Sequence, residues 1–223
     1  MNPFYFLVDI ARFFEEEVDM YHYRTAPKDY LKNPIILIPG VGSKWGGLKH
    51  LADFISEKGY PLYVVQELGD NLYDLDYSSK IVRKLIEEND LKNAIIVGHS
   101  KGGLIGKYLM VHDDLQHRVL GMVSLATPYS GSKLANFLLI HRWKQFGTGD
   151  KGILDLQKHT EVNKKIISIS PSFDTLVWNK NKSNLEEAFE NIEVSAKGHL
   201  NMTYDQQVKE KVLGSIEKIS KLG

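Results

Sequence analysis

The sequence predicts an α/β fold with a mainly parallel central sheet and helices on both faces. Six short apolar runs alternate with four helix-like stretches, which is the order expected of strand-helix-strand units. The runs at 35–38 and 94–97 are apolar at every position, as expected for strands buried on both faces. We expect strands near 35–38, 61–65, 94–97, 119–125, 166–170 and 192–195, and helices near 45–58, 77–89, 102–112 and 205–221.

The composition is that of a globular protein and excludes several classes of partner and chemistry. The chain has 223 residues, 43% of them hydrophobic and 25% charged, which is typical of one globular domain spanning 1–223. Its 28 basic residues balance its 28 acidic ones, so bulk charge indicates neither a nucleic acid nor an anionic bilayer as partner. The absence of cysteine excludes disulfides, thiol catalysis and cysteine-ligated metal. No apolar stretch reaches eighteen residues and the first four residues do not resemble a secretory signal, so a cytoplasmic location is expected.

The segment Gly98-His99-Ser100-Lys101-Gly102 lies between an apolar run and a helix-like stretch. The pattern G-x-S-x-G at a strand-to-helix turn is typical of a nucleophile elbow, which lifts a serine hydroxyl clear of a sheet. Ser100 then adopts a strained backbone, and the two flanking glycines allow the strand and helix to approach closely. The alternative is a glycine-rich turn without chemistry.

Two further loops follow predicted strands. Pro39-Gly40 ends the run at 35–38, and the segment from Thr127 to Ser132 follows the run at 121–125. With the elbow, these motifs resemble the α/β-hydrolase family, and specifically its lipases and esterases. The resemblance implies an oxyanion hole formed by the backbone N–H groups of Val41 and Lys101, although Pro39-Gly40 replaces the His-Gly that many members carry. We expect the Lys101 ammonium to be solvated or to cover an acidic neighbour.

The resemblance also implies a catalytic acid and then a histidine after the serine. His199, between the run at 192–195 and the last helix, is the candidate base, and Asp174, after the run at 166–169, is the candidate acid. The other downstream histidines are placed less well: His112, His117, His141 and His159. Three aspartates compete less well as the acid: Asp150 and Asp155, which fall in an insertion, and Asp205, an expected helix N-cap.

The implied activity is that of a serine carboxylic-ester hydrolase that forms an acyl-enzyme and needs no metal or organic cofactor. The expected partner is a small-molecule or lipid ester; membrane contact is allowed but not required, and the oligomeric state is left open. A thioesterase, amidase or acyltransferase on the same site is the alternative, as is a non-enzymatic binding member of the fold.

Two segments bear on the substrate. Residues 1–20 are predicted to form an amphipathic helix with Phe4, Leu7, Ile10, Phe13 and Phe14 on its apolar side. This helix is expected to pack on the domain, to act as a small flap, or to dock on lipid, although the acidic residues 15–17 oppose an anionic surface.

The second segment, residues 133–165, is predicted to be a small lid insertion. Phe137, Leu138 and Trp143 are its candidate substrate-binding residues, with packing inside the lid as the alternative. A lid this short favours esters of short or medium acyl length.

Overall fold

The computed structural model describes residues 4–18, 31–43, 45–114, 116–137, 146–178 and 183–223. Within these ranges the strands form one sheet of six, all paired in parallel. The strands are β1 (Ile35–Ile38), β2 (Leu62–Val64), β3 (Ala94–His99), β4 (Val119–Leu125), β5 (Ile166–Phe173) and β6 (Glu190–Lys197). The α-helices are α1 (Phe4–Val18), α2 (Lys49–Glu57), α3 (Leu75–Glu88), α4 (Lys101–Tyr108), α5 (Lys133–Phe137), α6 (Lys151–Lys158) and α7 (Gln206–Ser220).

The predicted fold class is confirmed. Some helices and strands begin or end at other residues than predicted, because of the local sequence. The expected helix at 45–58 begins as a 3-10 turn, Trp45–Leu48, because Gly46 and Gly47 weaken an α-helical start. Strand β5 extends past the apolar run to Phe173, with an irregular register after Pro171. Because proline is rare inside strands, the predicted strand ended at residue 170, before Pro171, and was too short.

Helices cover the sheet on both faces, and the alternating side chains of β1 show how. Ile35 and Leu37 pack with apolar residues of α2 and α7 on one face. Ile36 and Ile38 pack with residues of α3, α4 and α6 on the other. Burial on both faces explains why this strand has no polar position.

The strand order β2-β1-β3-β4-β5-β6 places a change of direction between β1 and β3. The chain proceeds from β1 to β2 on one side and then crosses to β3 on the other. In open parallel sheets, ligands bind in the crevice outside the carboxyl ends of the strands at such a point. The loops after β1 and β3, at Gly40 and Ser100, flank this crevice.

Helix α1 contacts the domain through a buried polar residue. Phe4, Leu7 and Ile10 are exposed, whereas Asp9 is buried. The Asp9 carboxylate accepts backbone N–H groups just after β6, and these buried hydrogen bonds attach the helix to the domain. The helix therefore packs on the domain through a polar anchor. None of the described helices is both long and apolar enough to span a bilayer.

Candidate active site

Ser100 occupies the sharp turn between β3 and α4. Its backbone has φ 53° and ψ −119°, a conformation that a residue with a side chain adopts only under strain. Its N–H donates to the carbonyl of Leu125 on the neighbouring strand at 2.8 Å. A Cβ on Gly98 would lie 2.6 Å from the carbonyl carbon of Gly102, and one on Gly102 would collide with the carbonyl oxygen of Ile38. The two glycines therefore have the steric role that the sequence predicted.

His199 and Asp174 meet at the carboxyl ends of the last two strands. Nδ1 of His199, in the loop after β6, lies 3.0 Å from each carboxylate oxygen of Asp174, which directly follows β5. Both side chains are buried. Oδ1 of Asp174 also accepts the N–H groups of Leu176 and Val177 at 2.8 Å. These two amides therefore orient the carboxylate independently of its contact with the imidazole.

The environment of Asp174 keeps it ionised. Burial by itself raises the pKa of this carboxyl, because a charge is disfavoured away from water. The charge and hydrogen bond of His199, together with the amides of Val177 and Leu176, outweigh burial and hold the pKa below its usual value. Asp174 is therefore a stable anion that accepts the Nδ1–H of the imidazole.

One cleft contains Ser100 and His199 together with Gly40 and Val41. It encloses about 530 Å³, open solvent included. The remaining lining contains three polar residues, Ser43, His99 and Ser132, and is otherwise apolar: Pro128, Leu134, Ala135, Phe146, Leu176, Val177 and Leu200. An apolar cleft with a few convergent polar groups is the usual form of a small-molecule site.

The substrate contacts predicted for Phe137, Leu138 and Trp143 stay predictions, because these side chains lie outside what the structure describes. Phe137 is the last residue of α5, while Leu138 and Trp143, like His141, fall outside the ranges that the structure describes. The sequence did not single out Phe146, Leu176 and Val177. Phe146 lies in the predicted insertion but beyond its candidate residues, and Leu176 and Val177 follow Asp174 in the loop after β5.

The competing acids are engaged elsewhere. The side chains of Asp150 and Asp205 accept backbone N–H groups at the starts of α6 and α7, so both are helix N-caps. Asp155 lies beside His112 and His159. These three side chains are close enough together to hold a metal ion. None of these aspartates is among the described residues that line the cleft. His117, which follows the helical segment after α4, is exposed.

His99 is a site residue that the sequence analysis missed. Its Nε2–H donates to the backbone carbonyl of His199 at 3.1 Å, and the two rings are 4.9 Å apart. Burial, followed by the charge of His199, lowers the pKa of His99 to about 3, so the ring is a neutral donor. Its position next to Ser100 was the available signal, but the partner is 100 positions away.

The Lys101 ammonium is buried on backbone carbonyls, so the expectation that it is solvated is wrong. Nζ donates to the carbonyl of Asn71 at 2.9 Å and to that of Tyr73, and burial lowers its pKa to about 8. Asn71 in turn donates its side-chain N–H to the carbonyl of Pro39 at 2.7 Å. The N–H of Gly42 binds the carbonyl of Asp70 at 2.8 Å. Lys101 is thus connected to the loop that carries Val41.

Ser132 connects the segment after β4 to the loop of the acid. Its hydroxyl donates to the carbonyl of Leu176 at 2.6 Å and accepts the N–H of Trp178 at 3.2 Å. The Thr127–Ser132 segment is therefore hydrogen-bonded to the loop that follows Asp174.

Comparisons with known proteins agree with this fold. The sequence model of the alpha/beta hydrolase fold matches residues 33–161. Lipase BlEst2 of Bacillus licheniformis, in its mature form, has a similar structure, with a TM-score of 0.67 at 15% identity over 89% of this chain and 96% of that one. Lipase B of Aspergillus fumigatus has a TM-score of 0.72 at 14% identity, over 88% of this chain and 55% of that one. A putative lipase of Acinetobacter baumannii has a TM-score of 0.61 at 12% identity, over 96% of this chain and 97% of that one. At such low identity these structures establish the shared fold alone.

Proposed function

The chain belongs to the alpha/beta hydrolase fold family, and on that premise we propose that it is a serine carboxylic-ester hydrolase with Ser100, His199 and Asp174 as its triad. One observation carries the proposal. The imidazole that shares a cleft with the strained Ser100 is held through Nδ1 by both oxygens of Asp174. This contact leaves Nε2 as the ring nitrogen that faces the reaction.

The mechanism begins with proton transfer. Nε2 of His199 accepts the hydroxyl proton of Ser100 as Oγ attacks the ester carbonyl, and Asp174 stabilises the imidazolium that forms. The tetrahedral intermediate collapses when His199 returns the proton to the leaving alcohol. Water then attacks the acyl-enzyme by the same route and releases the acid.

The developing oxyanion needs hydrogen-bond donors. The N–H of Lys101 is the first in α4, where helical N–H groups lack partners within the helix. We assign it and the N–H of Val41 to the oxyanion hole, where one such donor contributes about 3–4 kcal/mol to transition-state stabilisation. The carbonyl contacts of Lys101 and Asn71 hold the two donors relative to each other.

The substrate class follows from the cleft walls. Most of the side chains that line the cleft beside Ser100 are apolar, which suits the acyl group of an ester. Phe137, Leu138 and Trp143 stay candidates for contacts with the acyl group, and residues 133–165 for a lid. The cytoplasmic location expected from composition stays a prediction.

The test is hydrolysis of p-nitrophenyl esters of graded acyl length, together with labelling by a fluorophosphonate. We expect turnover that peaks at short or medium chains and falls by about 10⁶-fold in Ser100→Ala, as in other serine hydrolases that lose the nucleophile. Ser172→Ala removes a hydroxyl outside the described cleft lining and serves as the control. Labelling without ester turnover indicates a thioesterase, amidase or acyltransferase. Absence of both indicates a binding protein.

A further inference from the structure

A second cluster of reactive side chains lies outside the cleft. His112 belongs to a π-helical turn, Leu109–Asp113, that prolongs α4, while Asp155 lies in α6 and His159 directly follows it. The ligand atoms of these three residues all lie within 4.8 Å of one another. Nε2 of His112 is 3.0 Å from Oδ2 of Asp155.

The local backbone brings these residues together. Asp155 and His159 are four positions apart at the end of one helix, so they project from the same side. The π-helical turn changes the direction in which His112 leaves the helix relative to a regular α-helical continuation, and such turns occur frequently at functional sites. Two separate elements thus supply one set of ligand atoms.

The ligand types fit a transition metal better than a hard cation. Zinc takes imidazole nitrogen and carboxylate oxygen at about 2.0–2.2 Å in tetrahedral geometry, which requires ligand atoms about 3.4 Å apart. The one distance of 3.0 Å and the upper limit of 4.8 Å for all three ligand atoms are compatible with that value. Calcium and magnesium require more oxygen ligands than a single carboxylate provides.

A second carboxylate orients one of the histidines. Nδ1 of His159 lies 3.3 Å from Oε1 of Glu161, which leaves Nε2 of that ring for a metal. Carboxylates in this position fix the tautomer of metal-binding histidines and raise their basicity. The His112 and His159 side chains are about one-third exposed, so water has access to a fourth coordination position.

We propose that His112, Asp155 and His159 bind one divalent transition-metal ion, preferably zinc, with Glu161 as the carboxylate that orients His159. The ion fastens α6 to the end of the helical segment that begins at Ser100. The role of the site is structural, because its residues are not among those described as lining the cleft.

The test uses the full chain, treated with EDTA and then freed of it. Isothermal titration with zinc should give one equivalent per chain, and thermal unfolding should shift upward by roughly 5–10 °C at a hundredfold excess over Kd. Cobalt in place of zinc should give the visible absorption of a four-coordinate ion. His112→Gln and His159→Gln should each abolish the stoichiometric binding, and Glu161→Gln should weaken it by about 10–100-fold.

His117→Asn is the matched control, because His117 is an exposed histidine with φ 52°, a conformation that asparagine tolerates. It should bind zinc as the wild type does. Asp155→Asn, which is nearly isosteric, provides the comparison if a histidine variant fails to fold. Wild-type binding that equals that of His112→Gln, or binding that only His199→Gln removes, overturns the proposal.

Discussion

Oδ2 of Asp9 accepts a hydrogen bond from the backbone N–H of His199 at 2.8 Å, across 190 positions of sequence. The same carboxylate accepts the hydroxyl of Thr175, in the loop of the candidate acid, and the N–H of Leu200 at 3.0 Å. Gly198 has φ +98°, and a Cβ there would lie 2.8 Å from Oδ1 of Asp9. One buried carboxylate in α1 therefore supports both loops of the proposed acid-base pair.

Removal of this carboxylate should affect activity as well as stability. We expect Asp9→Ala to lower kcat and the midpoint of thermal unfolding, because buried N–H groups left without an acceptor cost about 1–3 kcal/mol. Leu7→Ala, on the exposed side of the same helix, should leave kcat unchanged. Ester kinetics and thermal unfolding of both variants check this, and equal kcat values in Asp9→Ala and the wild type would contradict it.

Substitution of Lys101 should affect kcat through the loop of Val41. Lys101→Met keeps the backbone N–H but loses the contacts to Asn71 and Tyr73, so we expect kcat to fall by about 10–100-fold with a smaller change in KM. Lys107→Met is the matched control, because Lys107 is also buried in α4 and burial lowers its pKa to about 8. If the two variants lose kcat equally, the lost activity reflects burial of a lysine in this helix and not the position of the oxyanion loop.

The acid assignment is tested by an isosteric change. We expect Asp174→Asn to lower kcat by about 10⁴-fold, because an amide no longer stabilises the imidazolium and favours the wrong tautomer. The competing assignment provides the control, since Asp155→Asn should keep kcat close to that of the wild type. Steady-state kinetics on one p-nitrophenyl ester distinguish them. Greater loss in Asp155→Asn would reverse the assignment.

The buried neutral His99 should make stability depend on pH. Its pKa is about 3 in the folded chain, compared with roughly 6.5 in an unfolded one, so the unfolded chain binds more protons between these values. The contribution to stability is complete above pH 6.5 and falls by about 1.4 kcal/mol per pH unit below it. His99→Gln keeps a donor for the His199 carbonyl but removes this dependence.

Urea unfolding between pH 8 and pH 5 measures the difference between His99→Gln and the wild type. Below pH 6.5 we expect the unfolding free energy of the wild type to fall steadily relative to that of His99→Gln. Parallel curves throughout that range would show that His99 binds its proton equally well in both states.

Local patterns predicted the parts of the fold and site that depend on neighbouring residues. The unbroken apolar runs fixed the parallel strands, and the two glycines around Ser100 indicated the elbow because their role is steric and local. The contact of α1 through Asp9 was not predicted, since helical periodicity does not reveal that Asp9 has partners near residue 199. The carbonyl partners of Lys101 and the lining residue Phe146 come from distant loops, which apolar periodicity does not position.

The central claim is that the hydroxyl of Ser100 becomes acylated with His199 as its base. The most direct measurement is the burst of p-nitrophenol released when the enzyme is mixed with an excess of a p-nitrophenyl ester, followed by peptide mapping of the acylated chain. We expect a burst of one equivalent per chain and an acyl group on Ser100, with acylation slowed by orders of magnitude in His199→Ala. Acylation at another residue, or an undiminished burst in His199→Ala, would contradict the claim.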